Sequence, residues 1–159
     1  MTEQDSTGTS TRAPLASEVS TLWRPWATGW LGVLGLSVVN GGVHRAYEPV
    51  LGVLPAEQLS NATLLAIVLP WAVVVDRRHP TSSTREALEA GALWGALTVA
   101  FEFLGGHYVN GDSWETLIRA YDVTAGHLWP VAVAGIVLAP AAARMRRGAG
   151  DRRGRNQLP

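Results

Sequence analysis

A chain of 159 residues, 47% hydrophobic and 16% charged with zero net charge, holds one domain, because its longest polar stretch is too short to bury a second soluble core. Every basic residue is arginine and cysteine is absent, which excludes disulfides, thiolate metal sites and thiol redox chemistry. Four apolar stretches, 26–43, 59–75, 87–106 and 128–143, are each about 16–20 residues long, near the ~20 that a helix needs to cross a bilayer. The fold expected is therefore an all-α membrane protein, a four-transmembrane-helix bundle over residues 23–146 between two polar tails.

The first tail, 1–22, is rich in Thr, Ser and Glu without periodicity and reads as disordered. Its first apolar run starts too deep for a cleaved leader, and no lipidation motif is expected. Span one carries Gly29, Val33, Ser37, Asn40 and His44 at three- to four-residue spacing, a single helical face of small and polar side chains. The connection Tyr47–Pro55 is itself apolar, with Val50, Leu51, Val53 and Leu54, and is predicted to lie along the interface. Span two opens on Ser60, Asn61 and Thr63 and holds Pro70 toward its other end, a site for a kink. A short loop, Asp76–Arg85, leads to span three.

Span three places Gly91, Gly95, Thr98 and Glu102 on one face, with Glu89 in its first turn. Gly91 and Gly95 form a G-x-x-x-G, whose mechanical meaning is close backbone approach and which raises self-association into a homo-oligomer. The second outer connection contains Asp112-Ser113-Trp114-Glu115, where Asp112 is the expected cap. Trp114, Leu117, Ile118 and Tyr121 then fall on one helical face, and Glu115 and Arg119 pair at i, i+4, so a short amphipathic helix is predicted to lid the bundle or lie on its surface. Span four starts beside His127 and Trp129, holds Pro140 and runs into the basic tail 147–159.

Arginine placement sets the orientation. The two tails and the loop after span two hold eleven arginines, against two, Arg45 and Arg119, in the other connections, so both termini are expected on the cytoplasmic side. Trp23 and Trp26 at the inner surface and Trp114 and Trp129 at the outer suit interfacial anchoring. The C-terminal arginines are expected to hold anionic lipid head groups, at roughly 1 kcal/mol each, rather than nucleic acid.

These depths bring polar residues of four segments toward the outer face: Asn40, His44, Arg45, Asn61, Glu102, His107 and His127. Glu102 is the sharpest of them. A carboxylate facing lipid costs at least ~2.5 kcal/mol, so it is expected to face the bundle or water with a partner. The partners expected are Arg45, His44 or His107, or Asn40 at similar depth. Three roles follow: an interhelical lock, a proton-carrying or substrate-binding acid, or a metal ligand. His44 and Glu48 stand at i, i+4, and His107 and His127 could complete a site for a divalent metal. No H-E-x-x-H supports it, no cofactor is otherwise expected, and hydrogen-bonded surface histidines are the commoner case. No phosphate-cradling Gly-Lys loop is present, and Gly111-Asp112-Ser113-Trp114 lacks the second glycine of a nucleophile elbow.

The run Phe101-Glu102-Phe103-Leu104-Gly105-Gly106-His107-Tyr108-Val109-Asn110-Gly111-Asp112-Ser113-Trp114, with the Asn40-Gly41 step and the Gln58-Leu59-Ser60 entry to span two, resembles small bacterial four-helix integral membrane proteins to which no activity is assigned. The resemblance implies a multi-pass protein of the bacterial cytoplasmic membrane and supplies no activity. Three functions stay open: a small binding or transport-type protein with an outward polar pocket at Glu102, a structural or partner-scaffolding protein in which the polar cluster is glue, and an intramembrane enzyme acting on a lipid-soluble substrate.

Overall fold

The computed structural model describes the backbone of residues 15–155 and the side chains of residues 23–150. Among these the protein is all-α, with five helices: α1 (Leu15–Leu51), α2 (Val53–Arg78), α3 (Thr84–Gly105), α4 (Trp114–Arg119) and α5 (Trp129–Arg155). A π-helical turn, Gly106–Asn110, prolongs α3, and a 3₁₀ turn, Val123–Ala125, precedes α5. Residues 1–14 of the tail read as disordered, and the last residues of the basic tail, lie outside the described residues; α1 is already helical at Leu15.

The four long helices pack side by side with alternating direction. Gly29 meets Val75 and Asn40 meets Ser60, so α1 and α2 run antiparallel. Trp26 meets Trp94 and Trp30 meets Thr98, so α1 and α3 run parallel. Gly135 meets Leu65, which sets α5 along α2, and Gly91 meets Val137, which sets α5 against α3. The core joins all four through Trp26, Val33, Val68, Trp94 and Ile136. Tryptophan N–H groups tie it together: Trp94 donates to the Trp26 carbonyl and Trp71 to the Gly29 carbonyl, both at 2.8 Å. Trp26, read as an interfacial anchor, is thus a core residue.

Two helices, Val53–Arg78 and Thr84–Asn110, are long and apolar enough to cross a membrane, and only 28% of the most apolar window of each is buried within the protein. The stretch 26–43 lies inside α1, and the stretch 128–143, but for Leu128, lies inside α5; their compositions are diluted by the small and polar stripe of α1 and by the arginine-rich end of α5.

Several connections differ from expectation. The segment Tyr47–Pro55 is helix on both sides of a single break at Gly52, which takes φ +82°, a conformation open to glycine. Pro49 sits in the last turn of α1 without ending it. His107 belongs to the π turn, because α3 overruns its apolar stretch until Gly111 turns left-handed at φ +80°. The helix after it is capped by Ser113, which accepts from the Thr116 N–H at 3.1 Å, and not by Asp112. Of its predicted apolar face Leu117 is buried against Gly106, while Ile118 stays exposed.

Gly91 and Gly95 serve inside the chain. A Cβ on Gly91 would stand 1.8 Å from the Val137 carbonyl oxygen, and one on Gly95 2.4 Å from Val137 Cγ2. The close approach read from the sequence is real, and its partner is α5. The face that raised self-association is therefore occupied.

Candidate functional site

A cleft of about 600 Å³ lies between the middle of α1 and the C-terminal half of α3. Trp30, Val33 and Leu34 of α1 face Thr98, Phe101 and Glu102 of α3, and Trp129 closes one side. The lining is mainly apolar, as in most small-molecule sites, and of ordinary size for one. The exposed residues Val38, Phe101 and Val109 stand on its walls.

Glu102 is the polar focus of the cleft. Its Oε2 accepts from the Tyr121 hydroxyl at 2.8 Å and from the Trp129 indole N–H, and the indole also reaches the Tyr121 oxygen at 3.1 Å. The other carboxylate oxygen, Oε1, has no donor among the described residues. The partners expected for it are elsewhere. The pairings Trp26–Trp94 and Trp30–Thr98 set Glu102 level with Leu34, not with Asn40, and His44 and Arg45 lie farther along the same helix.

Local structure delivers Tyr121. The α4 helix ends with the Tyr121 N–H on the Ile118 carbonyl. Asp122 then caps the 3₁₀ turn through the amides of Thr124 and Ala125 and the Thr124 hydroxyl. The Thr124 hydroxyl first, then those two amides, hold the Asp122 carboxyl below the usual carboxylate range. Burial, and then the bond to Glu102, push the Tyr121 phenol from 10.0 up to about 12.

The remaining predicted residues fall into separate pairs. Asn40, 8% exposed, donates to the Ser60 hydroxyl at 2.8 Å and accepts from the Thr63 hydroxyl at 2.7 Å, which locks α1 to α2. His44 bonds the Ala56 carbonyl through Nδ1 at 3.2 Å and Glu48 through Nε2 at 3.1 Å. His107 bonds the Asp112 carbonyl at 2.9 Å and stacks on Trp114. His127 pairs with Glu57 at 2.7 Å, and Arg45 is exposed. Asn61 is buried with its Nδ2 unpartnered, one turn along α2 from Glu57, whose Oε1 is also buried and unpartnered. Among the described residues no three His, Asp or Glu side chains gather as a metal would need; His44, Glu48, His107 and His127 are engaged in the separate contacts above.

Sequence reasoning missed Tyr121 and Trp129 as partners of Glu102, taking one as part of an apolar stripe and the other as an interfacial anchor. It also missed Glu57, whose i, i+4 spacing to Asn61 was the available signal. At the opposite end it missed a clasp. Asp76, 1% exposed, accepts from the Thr81 amide and hydroxyl and pairs with Arg147 Nε at 3.4 Å. Arg144 and Arg147 both donate to the Thr81 carbonyl.

No protein-family model, curated protein or solved structure matches the chain, so its function is argued from this geometry alone.

Proposed function

We propose that this is a small integral protein of the bacterial cytoplasmic membrane, crossing it four times with both termini inside, that binds or transports a solute in the cleft at Glu102. One observation carries the binding reading: the Glu102 carboxylate, half satisfied by Tyr121 and Trp129, stands in the wall of a mainly apolar cleft. An acid kept at such cost in an apolar setting is a functional group by default. The membrane reading draws on the outward apolar residues of all four long helices, Leu31 and Val39, Ile67, Phe101, Val131 and Leu138 among them. The core helix of a soluble protein would bury such residues.

The scaffolding reading has its own support: Asn40, Trp30, Trp71 and Trp94 all spend their polar atoms on helix-to-helix bonds. Glu102 differs in keeping one oxygen free beside open space. The basic tail would meet anionic head groups with Arg146 and the arginines beyond it, since Arg144 and Arg147 are held by Thr81 and Asp76.

The cysteine-free chain suits the test. With a single cysteine replacing His79, Glu115 or Gly148, an impermeant maleimide should label only Glu115→Cys in intact cells, and the other two after lysis. Labelling of all three from outside refutes the four-span topology. For binding, Ser37→Phe adds bulk to the cleft wall while Glu102 itself is kept. Solutes that raise the melting temperature of wild type should fail on Ser37→Phe; solutes that act equally on both refute the cleft as the site.

A further inference from the structure

We propose that the solute taken by the Glu102 cleft is a lipophilic organic cation, an inference that rests on the binding reading above. Charge complementarity is the first argument. The acids Glu102 and Asp112 line the cleft and no basic residue does, so an anionic solute meets two like charges. A neutral hydrocarbon would fill the space and leave the free oxygen of Glu102 unpartnered, which is costly away from water.

The second argument is the aromatic walls. Trp30 and Phe101 stand with ring centroids 6.3 Å apart and planes 69° from parallel. They meet edge to face, and both line the cleft together with Glu102. Trp129 adds a third ring, fixed by its own N–H to the carboxylate. A cation held within ~6 Å of a ring face gains from the ring quadrupole, most where water is excluded. A bare metal ion is poorly served, because it needs several oxygen or nitrogen ligands and the rest of the lining is chiefly hydrocarbon. A cation whose charge is spread over an apolar body needs no such shell, and about 600 Å³ accommodates one.

The access route fits the same class. The walls carry Val38, Phe101 and Val109, all strongly exposed, on the seam between α1 and α3. In the four-span reading this seam faces lipid, so a solute that partitions into the bilayer enters sideways.

The test is equilibrium dialysis of detergent-purified protein against tetraphenylphosphonium and, separately, tetraphenylborate, an anion of nearly the same shape. Tetraphenylphosphonium should bind saturably and tetraphenylborate should not. Glu102→Gln should weaken the cation at least about tenfold, the loss of a partly desolvated charge pair, and Trp30→Leu roughly three- to tenfold. Equal binding of both ions, or full affinity in a folded Glu102→Gln, overturns the proposal. If both ions bind and Ser37→Phe abolishes both, the cleft is a binding site without charge selection and only the cation assignment falls. If neither ion binds and Ser37→Phe alters the binding of no solute, the binding reading falls with it. The contrast between the two ions uses wild type alone, so it stands even where a variant fails to fold.

Discussion

At the residue scale, the Tyr121 hydroxyl sits between a carboxylate and an indole, and its chemistry follows from that place. Ionising it would put a phenolate beside Glu102 in a partly dry site, so the neutral form is favoured. The group's folded pKa, about 12, lies above its ordinary 10.0. Its contribution to stability is therefore fully present below about pH 10 and is lost as pH rises toward 12. The difference in phenolate absorbance between wild type and Tyr121→Phe should have its midpoint near 12; a midpoint near 10 would mean that the hydroxyl is neither buried at this place nor bonded to Glu102. Glu102 and Asn40 were legible in the sequence because a polar residue inside an apolar stretch is expensive and must have a partner. The partners were not legible. Each candidate was assigned by depth along an idealised span, and a shift of one or two turns replaces Asn40 by Leu34 as the level of Glu102. Tyr121 and Trp129 were hidden for another reason: aromatic residues satisfy an interfacial reading and a hydrogen-bonding reading equally well.

At the element scale, helix existence was readable from apolar length, while helix ends were set by local chemistry. Gly52 and Gly111, which take positive φ, terminate α1 and the π turn, whereas Pro25 and Pro49 lie inside α1 without ending it. The two glycines of α3 show how contact chemistry sets cost. An added Cβ at Gly91 meets the Val137 backbone, which cannot move without moving α5; at Gly95 it meets only a Val137 methyl. Gly91→Ala should cost about 3 kcal/mol and Gly95→Ala about 1 kcal/mol, read by unfolding in mixed detergent. Val137→Ala should restore Gly95→Ala and leave Gly91→Ala unchanged. Rescue of both would place the helices farther apart than the carbonyl contact implies. The G-x-x-x-G thus predicted a close crossing correctly, while nothing in the motif could say whether the partner helix lay in the same chain.

At the scale of the whole molecule, the four long helices close round a common core, α1 against α2, α2 against α5 and α5 against α3, and the remaining side, α1 against α3, holds the cleft at the end where α3 finishes. A protein open at one seam needs its other seams fixed, and the clasp at the far end does this. Asp76 lies in the last turn of α2, Thr81 in the loop to α3, and Arg147 in α5, so the ion pair and its bonds to Thr81 tie three elements. Its members were overlooked because Asp76 lies beyond the apolar stretch and Arg147 was grouped with a tail bound for lipid head groups. The two partners are not equivalent. Asp76 is buried, while Arg147 is partly exposed and keeps a bond to the Thr81 carbonyl at 2.9 Å. Arg147→Gln strands a buried carboxylate and should cost about 3–5 kcal/mol. Asp76→Asn retains the side-chain shape and an acceptor for Thr81, leaves a cation that can turn to water, and should cost about 1–2 kcal/mol. The double variant should then be more stable than Arg147→Gln alone, because the stranded charge is gone. A double variant that loses the sum of the two single costs would show that Asp76 and Arg147 act independently, and would leave the hydrogen bonds of Thr81 as the only tie at that end.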